Sequence, residues 1–163
     1  MPVKAIPQGF HTITPGLICK NASAAIEVYK KAFGAVEVNR MADRNGRLMH
    51  AELQIGDSRL FVSDEFPGMA MAPTAGAPPS QSLHVYVEDV DATYKQAVAA
   101  GCNEGMPVTN MFWGDRFGKV VDPEGHHWNL ATHVEDVEPA EMERRSEEWM
   151  KQMTLRAQAA GQS

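Results

Sequence analysis

Residues 83–101 read LHVYVEDVDATYKQAVAAG, and residues 13–34 read ITPGLICKNASAAIEVYKKAFG. Each runs from a short alternating stretch through a polar capping residue into an amphipathic helical pattern that ends in glycine. In the later stretch Asp89 is the cap, Val90, Tyr94, Ala97 and Val98 form the apolar stripe, and Gly101 stops the helix. In the earlier one Asn21 or Ser23 caps, and Ala22, Ala25, Ile26, Tyr29 and Phe33 recur at helical spacing. Gly34 supplies a left-handed stop. Thr14 lies 68 residues before Ser82 and Gly34 lies 67 before Gly101, so the chain repeats one plan with a helix one residue shorter.

Three strand-like stretches follow each helix. The first half predicts strands at 35–41, 47–55 and 58–64, with Asn45-Gly46 and Gly56-Asp57 as tight turns. The second predicts strands at 106–112, 116–121 and 126–132, with turns at Gly114-Asp115 and from Asp122 to Gly125. The fold class is α+β: two βαβββ modules forming a curved-sheet cleft. They occupy about 11–64 and 81–133 within a single domain of residues 1–134, joined by a linker at 65–80 rich in Pro, Ala and Gly. Residues 135–163 form a C-terminal helical extension, with Pro139 near its first turn. Met69 and Met71 in the linker are expected over the cleft or against a partner subunit.

The composition excludes several classes. A chain of 163 residues can bury one substantial core. A net charge of -6 without clustered Lys and Arg argues against nucleic acid. Much of the acidity lies between Glu135 and Lys151, seven acidic against three basic residues, which reads as a solvated helix face. No stretch reaches the roughly 20 apolar residues of a membrane span, and residues 1–17 do not resemble a signal peptide. Cys19 and Cys102 form no CxxC and read as free thiols of a cytoplasmic protein.

Period-two alternation divides each strand between helix side and cleft side. On the strand at 82–87, Leu83, Val85 and Val87 are assigned to the helix side, and Ser82, His84 and Tyr86 to the cleft. On 47–55, Met49, Ala51, Leu53 and Ile55 are expected buried, with His50, Glu52 and Gln54 facing the cleft. On the last strand Trp128 and Leu130 are expected buried, leaving His127 and Asn129 in the cleft. His50 and Glu52 share a face and are the candidate catalytic residues, the glutamate holding the histidine as a general base. Trp113 is a candidate platform for a flat ligand and Arg116 a candidate grip for an anion, against a plain turn role for both and for Asp115. His11, His126 and His133 have no partner that the sequence identifies. Met142, Trp149, Met150 and Met153 make an apolar stripe on the C-terminal helix, expected to pack or to contact a second subunit.

The segments AIEVYKKAFGA, MHAELQIGDSRLFVSDE, LHVYVEDVDATYKQAVAAG and FWGDRFGKVVDPEGHHWNLATH resemble the vicinal oxygen chelate superfamily, and more narrowly its PhnB-like branch. The resemblance covers residues 11–133, and the trailing VEPAEMERR stretch also looks like that branch. It implies paired βαβββ modules, a homodimer, and in the metal-dependent members four ligands on the first and last strands of each half. Carried onto this chain, those positions fall on Thr14, Phe61 (or Ser63 with a slip of two), Ser82 and Asn129, none a good ligand for a divalent metal. The expectation is therefore no metal and no other cofactor. A divalent metal on His50, Glu52, His84 and His127 is the alternative, and a slip of two would bring His84 to the position of Ser82.

The function expected is that of a PhnB-like protein binding a small molecule in its cleft through His84, Tyr86, Trp113, Arg116, His127 and Asn129. The alternative is a metal-dependent or acid–base enzyme of the superfamily, a lyase, isomerase or dioxygenase. A regulatory partner protein using the acidic C-terminal helix is a third reading. No Gly-rich loop after a strand offers to cradle a nucleotide cofactor.

Overall fold

The computed structural model describes residues 3–160. Strand β1 (Gly16–Cys19) leads into helix α1 (Ala22–Phe33), followed by β2 (Val36–Ala42), β3 (Leu48–Ile55) and β4 (Ser58–Asp64). The second module repeats the order: β5 (Ser82–Tyr86), α2 (Val90–Ala99), β6 (Asn103–Asn110), β7 (Asp115–Val121) and β8 (His127–His133). Helix α3 (Pro139–Ala160) is the last of the described elements.

The two sheets have equivalent strand orders, β1-β4-β3-β2 and β5-β8-β7-β6. In each, the strand before the helix pairs parallel with the last strand and the others pair antiparallel. Gly16 pairs with Phe61 and His84 with Asn129, so the repeat offset of 68 holds in the strand register itself. The hairpins differ at the tip: Ile55 and Ser58 flank a two-residue turn, whereas the Asp122 N–H closes a longer turn on the His126 carbonyl.

Helix starts follow the polar residues expected of them. Asn21 accepts from the Ala24 N–H and Asp89 from the Ala92 N–H. Asp64 adds a second acceptor for the start of α1, taking the Ala22 N–H at 2.7 Å and the Leu48 N–H at 2.6 Å. Gly34 adopts φ 65°, ending α1 in the left-handed conformation.

One continuous apolar core runs through both modules. Tyr29 and Phe33 of α1 cross to the other module and pack on Trp128 of β8, with ring centroids 5.1 and 4.4 Å away. Full burial of side chains of this size contributes about 2–3 kcal/mol each. Beside them, buried Asp122 accepts from Tyr29 Oη at 2.7 Å, Trp128 Nε1 at 2.9 Å and the N–H groups of Glu124 and His126. Glu124 accepts from the N–H groups of Lys20 and Asn21, and the His126 Nε2–H donates to the Ile18 carbonyl. The β7–β8 turn is thereby latched to the start of α1.

Two strand expectations are corrected. Met49 is 42% exposed and Leu48 is buried in its place, because the β2–β3 register shifts: Met41 pairs with His50 and Ala42 with Leu48. β6 starts at Asn103 rather than 106 and ends at Asn110. Gly105 and Pro107 lie inside it, which an edge strand with register shifts accommodates.

Candidate functional site

Register assigns residues to faces, since paired neighbours point the same way. On the helix-free face of the second sheet lie Ser82, His84 and Tyr86 of β5, His127, Asn129, Ala131 and His133 of β8, and Asp115, Phe117 and Lys119 of β7. The aromatic members touch: His84 lies 4.8 Å from Tyr86 and 5.8 Å from Phe117, and Trp113 lies 5.6 Å from Phe117. Asp115 is the polar hub beneath them, only 3% exposed. It accepts from Trp113 Nε1 at 2.9 Å, Tyr86 Oη at 3.2 Å and His133 Nδ1 at 2.8 Å. His133 Nε2 meets Asp136 at 2.9 Å. With a carboxylate on each ring nitrogen, and Asp136 the larger influence, the imidazole is held above its ordinary pKa.

The helix-free face of the first sheet carries His50, Glu52, Arg59 and Phe61. Glu52 is ion-paired to Arg59 at 2.9 Å, with both side chains largely buried. The His50 ring lies edge-on to Phe61 at 4.8 Å. Phe10 covers this face, 5.8 Å from Phe61 and with the Arg59 guanidinium over its ring.

Between the modules runs a groove of about 460 Å³. Leu83, His84, Val85 and Tyr86 line one side, and Thr14, Ile55, Ser58 and Arg59 are among the residues of the other. Both faces of β5 contribute, so the groove follows the outer edge of that strand, where its outward backbone groups lack a sheet neighbour among the described residues. A smaller groove of about 110 Å³ holds His127 and Ser82 against residues 15–17.

Of the residues singled out by sequence, His84 and Tyr86 line the larger groove and His127 the smaller. Asn129 donates to Ser82 Oγ at 3.0 Å and Trp113 is tied to Asp115. Arg116 is not at the cleft. It pairs with Thr132 on the helix side of β7 and binds Asp91 of α2 and Asn110. The turn before β7 fixes this: Asp115 takes the helix-free face, and its neighbour must take the other. His50 and Glu52 share a face as expected, but Glu52 is engaged by Arg59. Among the described residues no three His, Cys, Asp or Glu side chains come together as a metal-ligating group, so His50, Glu52, His84 and His127 do not converge within one chain. Thr14 precedes β1, Phe61 is an aromatic contact and Ser82 and Asn129 bond to each other, a donor set that does not fit a divalent metal. Arg59 and Ile55 were missed by sequence reasoning. Their signal was the Gly56-Asp57 turn, which aims the ends of β3 and β4 at the second module.

Two repeated four-stranded mixed sheets, each carrying its own helix, define a paired βαβββ-module protein with grooves where the modules meet. The chain belongs to the Glyoxalase/Bleomycin resistance protein/Dioxygenase superfamily, whose family model matches residues 9–130. Uncharacterized proteins of Mycobacterium bovis and Mycobacterium tuberculosis are 37% identical over 135 residues, covering 80% of this chain and 89% and 79% of those proteins. TioX from Micromonospora sp. ML1 is similar in structure, with 26% identity and a TM-score of 0.61 over 76% of this chain and 100% of TioX. A PhnB protein from Bacillus cereus shares the fold at 18% identity and a TM-score of 0.58, over 75% of this chain and 99% of that one. No helix among the described residues is long and apolar enough to cross a membrane.

Proposed function

We propose that this chain is a cytoplasmic, PhnB-like small-molecule binding protein, and that its ligand lies along the β5 edge against His84 and Tyr86. The observation that carries this is the groove itself. It has a volume suited to a small organic molecule, apolar walls from Ile55, Leu83 and Val85, and polar side chains including Thr14, Ser58, Arg59 and His84 to fix orientation. Tyr86 links it to the buried Asp115 hub, so a ligand touching the phenol would meet a pre-positioned hydroxyl. Holding a compound in this way requires shape and hydrogen bonds and no metal. Nothing around Glu52 favours a general base, since Arg59 already takes its carboxylate.

The test is a small-molecule thermal-shift screen, with metal content measured in parallel and each hit titrated against variants. His84→Ala and Tyr86→Ala are expected to weaken binding about tenfold each, close to 1.4 kcal/mol. Arg116→Ala, on the far side of the sheet, is expected to leave it unchanged. Hits insensitive to both groove substitutions would overturn the assignment, as would near-stoichiometric metal required for binding.

A further inference from the structure

The segment ahead of β1 rests on the body chiefly through one side chain. From Val3 to Ile13 every residue is exposed except Phe10, which is half-buried. Among the described residues, the one backbone hydrogen bond within 3–14 is local, from the Phe10 N–H to the Pro7 carbonyl at 3.1 Å. Bonding to the sheet begins only at Pro15, whose carbonyl accepts from the Phe61 N–H at 2.9 Å. A segment held by so few contacts opens at a small fraction of the cost of unfolding the body.

What Phe10 covers is better built than Phe10 itself. Its ring lies 5.8 Å from Phe61 at an interplanar angle of 50°, and the Arg59 guanidinium stands 5.6 Å from its centroid. A Cβ on Gly9 would lie 3.2 Å from Arg59 Nη2, so the turn sits directly on that guanidinium. His50 meets the Phe61 ring edge-on at 4.8 Å. These three partners stand on the paired strands β3 and β4, and Glu52 fixes Arg59 at 2.9 Å. The slot is therefore mounted on a sheet and its filler on a loop. The repeat offset of 68 matches Arg59 and Phe61 to His127 and Asn129, so the first sheet carries a cation and an aromatic ring where the second is polar. A tilted ring pair and a guanidinium over a ring face both reward a π system above an aliphatic group of equal size.

We propose that the His50, Arg59 and Phe61 face of the first sheet is a slot for a planar aromatic ring, that Phe10 fills it from within the chain, and that an aromatic ligand enters by displacing Phe10. His11, Ile13 and Thr14 of the same segment line the larger groove, so the displacement also moves one wall of that groove. The slot stands apart from the ligand reading at the β5 edge, because Arg59 is the one slot residue that lines that groove. The experiment is an NMR titration of the full-length chain with phenol and, as its saturated counterpart, cyclohexanol. Amide signals remote from residues 9–15, 50 and 59–61 report that each variant stays folded. Phe10→Ala is expected to bind phenol about tenfold more tightly than the wild type, with less than a twofold gain for cyclohexanol. Added to Phe10→Ala, Phe61→Leu is expected to abolish that gain and Tyr86→Ala to leave it unchanged. In the wild type, the Phe10 ring signals are expected to move towards free-chain positions as phenol is added. Equal phenol affinity for wild type and Phe10→Ala would overturn the slot. So would an equal gain for cyclohexanol, or a gain that survives Phe61→Leu or is lost with Tyr86→Ala. Phe10 signals that stay fixed while phenol saturates the wild type would overturn the displacement.

Discussion

Asp122 is buried at 2% exposure yet has four donors around it, two side chains and two backbone N–H groups. Its loss would strand the Tyr29 hydroxyl and the Trp128 indole N–H away from water. Asp122→Ala is expected to destabilise the fold by about 3 kcal/mol or more, read from urea unfolding midpoints. Tyr29→Phe removes one donor and leaves the other three, so about 1 kcal/mol is expected. The neighbouring thiols are passive: burial pushes Cys19 well above the usual thiol range and Cys102 up to about 12, so neither is nucleophilic at neutral pH. His133 behaves differently because it is exposed and lies between Asp136 and Asp115. Its native pKa is raised above the ordinary 6.5. The stabilisation it gives is therefore complete below that value and is lost as pH rises through the native one. The difference in melting temperature between wild type and His133→Gln is expected to shrink as pH is raised across that window; a difference that stays constant would rule out the titration.

At the scale of elements, the junctions carry the specificity. Asp64 at the end of β4 accepts from the first N–H of α1 and from the start of β3, holding three elements with one carboxylate. Asp64→Ala is expected to cost about 2 kcal/mol by thermal unfolding. Gly114, between β6 and β7, has φ 96°, and a Cβ there would lie 2.1 Å from the Glu135 carbonyl oxygen. The Gly114 carbonyl also accepts from the N–H groups of Val134 and Glu135, fixing where the chain leaves β8 towards α3. Gly114→Ala is expected to displace that segment and to lower stability by about 2–3 kcal/mol, seen as faster amide exchange at Val134 and Glu135.

For the whole molecule, the two modules resemble a tandem repeat in sequence but not in energetics. Their helices pack side by side, Trp128 is covered by α1, and the β7–β8 turn is latched to the start of that helix. Neither half can bury its own apolar face alone. Calorimetry is expected to show one cooperative transition for the body, and a fragment ending at residue 78 is expected to lack cooperative unfolding. Two separate transitions would show that the shared core contributes little.

The sequence by itself determined the repeat, both module helices, the Asp89 cap and the turns between strands, because these depend on local periodicity and on residues that suit a given backbone conformation; between Asn21 and Ser23 the structure chose Asn21 as the cap of α1. It also put His50, Glu52, His84 and Tyr86 on the correct sides of their strands. Only the tertiary structure decided the rest. A one-residue change in phase reverses every face of a strand, which turned Arg116 towards α2, and a register shift moved burial from Met49 to Leu48. The partners that matter most are remote in the chain: Tyr29 and Asp122 are 93 residues apart, and His126 and the Ile18 carbonyl 108. No local pattern encodes such pairs. They form because folding brings buried donors and acceptors together where water cannot satisfy them.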